Sequence, residues 1–339
     1  IFIKIKFMIQ KIAVIGFVFF VLGCSANKSQ INILEIQNEV KKTSIVVVEK
    51  SIKNNSTSME EIVSYLASDA LKGRDTGSDG IDMAAKYIAQ FFRTNNIDSY
   101  YDNYRDVFDV KGEEAFNIIG VLKGTDSILR EEYVVIGAHY DHIGKGKKTG
   151  DDVIANGAND NAAGTAAVMQ MAKYFSKVNT NKRSVLFVLF AAEEKGLLGS
   201  KHLAKQMKKD NKKIYAMLNF EMIGVPLDKE YLAYVTGYHK SNLAEKMNAY
   251  ADANLVGYLP QAKEYQLFSR SDNYPFYQEF NVPAQTFCTF DFTNFDYYHH
   301  VDDEVDKLDF KHMENFIKSY LPAIEKVVNS TPNEIKLND

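Results

Sequence analysis

Tyr133-Val134-Val135-Ile136-Gly137-Ala138 runs without a polar break into His139-Tyr140-Asp141-His142. A strand covered on both faces reads as such a continuous apolar run, whereas a strand with one wet face alternates. Similar runs recur at 116–122, 185–191, 214–220, 231–236 and 282–290. Between and after them lie segments of helical periodicity at 161–176, 197–208, 241–254, 272–280 and 310–328, preceded by a helix near 81–95. An earlier helix opens at Ser58-Met59-Glu60-Glu61, where Ser58 and Glu61 fit a capping box. Apolar strands alternating with helices predict an α/β fold, a three-layer αβα sandwich around a mostly parallel central sheet. In open sheets of this kind sites form beyond the carboxyl ends of the strands. His139 and Asp141 end one apolar run, Glu193 and Glu194 another, Glu221 a third, and His299 follows a fourth.

Composition leaves room for this reading and excludes others. With 46% apolar and 25% charged residues, the 339-residue chain has the balance of a globular protein. Net charge is −4 and the lysines are scattered or gathered in short runs such as 208–213, so the basic stripe of a nucleic-acid binder is missing. No nucleic-acid partner is expected.

The first residues read as a processing segment. From Met8 a short basic stretch precedes the apolar run 12–22, and Gly23-Cys24-Ser25 follows. A basic start, a short apolar run and a small-residue cleavage site describe a secretory signal, and the run is short for a membrane span. Val21-Leu22-Gly23-Cys24 resembles a bacterial lipobox, which places a lipid on Cys24 and the protein at the cell envelope, held to the membrane through that anchor only. The expected organisation is a signal at 1–24, a polar tether at 25–55, one catalytic domain at 56–330 and a tail at 331–339. Cys288 is then the remaining cysteine; it cannot form an internal disulfide and is expected to be a buried thiol.

Five segments carry the chemistry, and each alone has an ordinary explanation. Residues i and i+2 of a strand share a side, so Asp141 is expected to accept from the second ring nitrogen of His139 and fix its tautomer. Asp160 within Gly157-Ala158-Asn159-Asp160-Asn161-Ala162-Ala163-Gly164 serves as a helix cap or as a carboxylate bridging two cations. Glu193 and Glu194 end an apolar strand, where two unpaired charges are costly. Metal binding accounts for both, with Glu194 as ligand and Glu193 as general base. Glu221 also closes an apolar run. In Tyr298-His299-His300 the two imidazoles point in different directions, so at most one ligates, and Tyr298 can donate to an oxyanion. Two histidines and three carboxylates without a thiolate suit catalytic zinc, and a pair of ions about 3.5–4 Å apart.

In their order and wording the five segments resemble the dizinc aminopeptidase family, which includes the glutamate carboxypeptidases. Those segments are Ala-His-Tyr-Asp-His, Gly-Ala-Asn-Asp-Asn-Ala-Ala-Gly, Ala-Ala-Glu-Glu-Lys-Gly, Asn-Phe-Glu-Met-Ile-Gly and Tyr-His-His-Val-Asp-Asp-Glu. The likeness covers roughly 58–328 and includes Gly73-Arg74-Asp75-Thr76-Gly77-Ser78. It implies a zinc exopeptidase fold and hydrolysis of N-terminal residues from peptides, with two zinc ions as cofactors. His139 and Glu221 would hold the first ion, Asp160 would bridge, and Glu194 and His299 would hold the second, with His300 as fallback. Glu193 would be the base, Asp141 the residue orienting His139, and Tyr298 the oxyanion partner. Glu221 departs from the family's usual aspartate by one methylene. A glutaminyl-peptide cyclotransferase with one zinc shares this fold, but its pocket tryptophans have no counterpart, since the chain has no tryptophan. A non-catalytic binding lipoprotein is the remaining alternative.

Overall fold

The computed structural model describes residues 57–338. The expected export signal, the lipidation site at Cys24 and the polar tether lie outside the described residues. In chain order the elements are α1 (Met59–Leu66), α2 (Asp79–Thr94), β1 (Asp98–Ser99), β2 (Arg105–Val110), β3 (Glu113–Leu122), β4 (Glu132–His139), β5 (Lys145–Thr149) and β6 (Asp152–Ile154). They continue through α3 (Gly164–Val178), β7 (Ser184–Phe190), α4 (Leu198–Lys209), β8 (Lys213–Glu221), β9 (Ala233–Val235), α5 (Leu243–Ala251) and β10 (Val256–Gly257). The last are α6 (Pro260–Glu264), α7 (Asn273–Phe280), β11 (Ala284–Cys288) and α8 (Phe310–Asn329).

The main sheet runs β1-β3-β7-β4-β8-β11-β9-β10, with β2 also on β3. Its centre, β7-β4-β8-β11, is parallel throughout. These are the continuous apolar runs, and burial on both faces is why they lack alternation. Val135, Leu186, Val188 and Met217 point to one face and meet Leu203 and Met207 of α4 and Phe276 of α7. On the other face Phe187 meets Phe175 of α3, while Phe220 and Phe287 meet Phe316 and Tyr320 of α8. Helices thus cover both faces of a mostly parallel sheet.

Local chemistry sets the helix starts. Ser58 and Glu61 form the reciprocal capping box on α1. Ser78 caps α2 by accepting the amide of Ile81, and Asp309 caps α8 by accepting that of His312. Elements that the periodicity did not announce lie mostly at the margins. β1 and β10 are two residues long, and β2 alternates polar with apolar residues against β3. The final stretch, set apart as a tail, docks on the domain: Ile335 is buried, its amide donates to the Tyr215 hydroxyl (3.0 Å), and Leu337 bridges to Ser241.

Candidate metal centre

The register of the parallel strands brings the chemistry to one edge. His139 at the end of β4 lies level with Phe190 at the end of β7, and Glu221 at the end of β8 with Cys288 at the end of β11. The chain then turns sharply. Ala192 before the glutamate pair, Met222 after Glu221, and His299 itself adopt φ values of 56°, 48° and 55°. Side chains other than glycine's rarely adopt such values, and backbone strain of this kind collects at functional sites.

Asp160 is the hub. Its Oδ1 lies 3.3 Å from His139 Nε2 and its Oδ2 lies 3.2 Å from His299 Nε2. Glu194 completes the second side, with Oε2 3.1 Å from His299 Nε2 and Oε1 3.0 Å from His142 Nδ1. Glu193, Glu194, Glu221, Tyr298 and His299 line, with Asp160, one cleft of about 370 Å³. Tyr298 is stacked on the His299 ring, with centroids 4.0 Å apart. Five distant segments therefore meet around a single carboxylate.

The residues beside the hub hold it in place. Asn159 accepts the amide of Gly224 (2.8 Å), and Asn161 accepts those of Met222 (3.1 Å) and Gly164 (3.0 Å). The asparagines flanking Asp160 thereby lock it to the chain just after Glu221. A Cβ on Gly164 would lie 2.4 Å from the Phe220 carbonyl, so only glycine lets α3 start that close to β8. Asp303 accepts the amides of Asn159 (2.7 Å) and Asp160 (2.9 Å) from the opposite side. Glu221 accepts the Ser271 hydroxyl, which in turn accepts from Asn219 (2.8 Å). The fully buried Arg74 donates to the carbonyls of Leu66, Tyr140, Asn156 and Gly157, clamping the segments that carry Asp141 and Asp160.

These carboxylates are crowded and dry. Burial pushes Glu221, Asp272 and Asp303 up to about 7, and holds Glu193 well above the usual carboxylate range. Burial opposes ionisation of Asp160 too, yet the neighbouring His139 and His299 imidazoles hold it below the usual range. Both carboxylate oxygens of Asp272 are buried without a hydrogen-bond partner, and so is His139 Nε2. Resident cations among these groups would supply the missing positive charge and take the free imidazole nitrogen. Imidazole and carboxylate donors without thiolate suit zinc in a catalytic site.

Most of the sequence-derived residues meet here, with one change of detail. β4 ends at His139, so Asp141 already lies beyond the strand. It faces His139 Nδ1 with its backbone carbonyl at 3.1 Å, while its carboxylate stands off at 3.7 Å. That carboxylate instead accepts the amides of Glu193 (3.1 Å) and Glu194 (3.3 Å). Asp141 thus ties the histidine to the glutamate pair by two different groups. His300 stays apart, its Nδ1 accepting the amide of Asp302 (3.1 Å). His142, Asp272 and Asp303 were not singled out as site residues. The first repeats the histidine three positions after His139, a spacing meaningful only once the turn after β4 is known. Asp272 precedes α7 and reads there as an ordinary cap, although its side chain caps nothing. Cys288 is buried, and burial pushes its thiol up to about 12.

A second cavity of about 100 Å³ adjoins the cleft, sharing Glu221, Arg270 and Tyr298 with it. Its walls include Tyr234, Leu267 and Phe290.

The sequence profile of peptidase family M28 matches residues 117–324. Among curated proteins, aminopeptidase YwaD of Bacillus subtilis (strain 168) is 34% identical over 120 residues, 35% of this chain and 24% of that protein. The matched part therefore spans about a quarter of that relative's length. Among solved structures, the LapA aminopeptidase of Legionella pneumophila superposes with a TM-score of 0.60 at 22% identity, covering 84% of this chain and 74% of that one. A glutaminyl cyclase of Fimbriiglobus ruber superposes equally well, TM-score 0.60 at 18% identity, covering 79% and 93%. These two likenesses show a shared fold.

Proposed function

The chain belongs to peptidase family M28, and from that premise we propose that it is a zinc-dependent aminopeptidase that releases N-terminal residues from peptides. One observation carries the reading: Asp160 offers one oxygen to each of two histidines, as a carboxylate bridging two cations must. On this reading His139, Asp160 and Glu221 would hold one zinc ion, and Asp160, Glu194 and His299 would hold a second. Bound zinc would supply Lewis-acid polarisation of the scissile carbonyl and acidify the attacking water.

The chain's own residues do the rest. Glu193 makes no side-chain hydrogen bond among the described residues and has a raised proton affinity, so it takes the proton from the attacking water and passes it to the leaving amine. Asp141 keeps that glutamate in place through its backbone amide. Burial and the neighbouring carboxylates raise the Tyr298 phenol, which keeps its proton and donates to the developing oxyanion. The carboxylates at the cleft floor attract a free α-amino group, which selects for exopeptidase action. The adjoining cavity takes the side chain of the N-terminal residue, and its Tyr234, Leu267 and Phe290 walls favour an apolar one. The lipobox reading of Val21-Leu22-Gly23-Cys24 further places the enzyme on the cell envelope through a lipid on Cys24. Retention of radiolabelled palmitate by the wild type and its loss in Cys24→Ser tests that anchor.

A screen of aminoacyl-nitroanilides and dipeptides, with and without chelator, tests the activity. Cleavage should require a free amino terminus, stop with chelator and return with zinc. Cleavage of N-acetylated substrates at the same rate would reject the aminopeptidase reading. Cyclisation of N-terminal glutamine with one ion per chain would favour the cyclotransferase.

A further inference from the structure

His142 lies just beyond β4, and its ring is fully buried. Its amide donates to the Arg74 carbonyl (3.3 Å), and its ring meets that of His299 edge-on, with centroids 5.7 Å apart. Gly157, at φ 57°, lies flat against the ring; a Cβ there would sit 2.6 Å from His142 Cγ. Packing therefore fixes the imidazole before any ligand arrives. Its Nδ1 points at the second side of the hub, 3.0 Å from Glu194 Oε1 and 3.8 Å from Asp160 Oδ2. Donor atoms of His142, Asp160 and Glu194 all lie within 4.8 Å of one another. His299 Nε2 closes the set, at 3.1 Å from Glu194 and 3.2 Å from Asp160.

We propose that His142 is a fourth protein ligand of the ion on the Oδ2 side of Asp160, making that site His142, His299, Asp160 and Glu194. The inference rests on the reading of the centre as a zinc site. Four donors at zinc's usual bond lengths stand about 3.4 Å apart at the corners of a tetrahedron. Four of the six separations among these groups, 3.0, 3.1, 3.2 and 3.8 Å, scatter around that value, with Glu194 facing His142 through Oε1 and His299 through Oε2. A hydrogen bond orienting Glu194 would account for the 3.0 Å contact alone, and would leave the approach to Asp160 and His299 without a purpose.

The consequence is an unequal pair. Four protein donors close a zinc site in the manner of structural centres, whereas three leave a position for water and substrate. The His142 side would be the firmly held ion, and the His139–Glu221 side the exchangeable, reactive one.

Metal binding and spectroscopy of the full chain test this without reference to activity. Wild-type protein should hold two ions, one of which survives brief chelation. His142→Ala should lose that survivor, its affinity falling by more than the about 10–100-fold typical of an outer hydrogen-bonding partner, and the visible absorption of the cobalt-substituted protein should change. Because His142→Ala could fail to fold, cobalt-loaded wild type labelled with ¹⁵N-histidine provides a second measurement. Three paramagnetically shifted ring N–H signals are expected, and two would overturn the proposal. A folded His142→Ala protein with two ions, unaltered chelator resistance and an unaltered cobalt spectrum would also overturn it, while leaving the zinc reading intact. Wild type that binds no metal would reject the zinc reading itself.

Discussion

Asp303 accepts the backbone amide of Asp160 at 2.9 Å, from a position 143 residues further along the chain. With the neighbouring bond from Asn159 it holds Asp160 by the backbone, so that both side-chain oxygens face the histidines. Asp303→Ala leaves two buried amides without an acceptor, at about 1–3 kcal/mol each. Metal affinity should fall about 10–100-fold, as for other outer contacts. Calorimetric melting and metal titration check both, and unchanged melting with unchanged affinity would remove Asp303 from the account.

Glu193 and Glu194 are adjacent yet differ in contacts. Glu194 touches His142 and His299, whereas the Glu193 side chain is free for proton transfer. Glu193→Gln should keep its metal content while kcat falls about 10²–10⁴-fold, the usual worth of a general base. Glu194→Gln should lose metal first and activity in consequence. Metal analysis beside initial rates separates the two, and a Glu193→Gln enzyme with near-normal kcat would contradict the assigned role.

Arg270 lines both the cleft and the adjoining cavity, is exposed, and has no ion pair among the described residues. A short peptide bound in the cleft should bring its carboxylate to this guanidinium, a charged hydrogen bond worth about 1.5–3 kcal/mol. Arg270→Ala should raise KM about 10-fold or more for dipeptides and leave aminoacyl-nitroanilides, which lack that carboxylate, nearly unaffected. Equal changes for both substrates would show that Arg270 acts on the cleft rather than on the carboxylate.

Acid should loosen the docked C-terminal stretch. Glu334 accepts from the Tyr250 hydroxyl (2.7 Å) and from Thr331 (2.9 and 3.0 Å), and these bonds lower its carboxyl to about 2. A carboxylate whose proton affinity falls on folding stabilises the fold above its unfolded value, near 4.5, and loses that contribution as pH drops toward 2. Urea unfolding from pH 6 to pH 2.5 should show a steeper acid decline for wild type than for Glu334→Gln. Parallel declines would mean that the contacts carry no net stability.

Much of the fold and part of the site were legible before any coordinates. β4, β7, β8 and β11 announce themselves because burial on both faces forbids polar residues, and α2 and α8 because one stripe of each must be apolar. β2 was missed because its alternating residues face partly outward, as Arg105-Asp106-Val107-Phe108 shows. Glu193, Glu194 and Glu221 were legible together, because carboxylates closing several apolar strands at one sheet edge are costly unless paired.

The sequence by itself determined the parallel core, the helices on its faces and the residue types gathered at its carboxyl edge, because burial and charge act on each segment locally. Tertiary structure alone decided which oxygen of Asp160 faces which histidine, that Asp141 works through its carbonyl as well as its carboxylate, and that His142 and Asp303 join the centre. Those are relations between residues as far apart in the chain as His142 and His299, 157 positions. The distance between such segments depends on strand register and on how tightly helix and sheet close around Gly164, and neither is written in a local pattern.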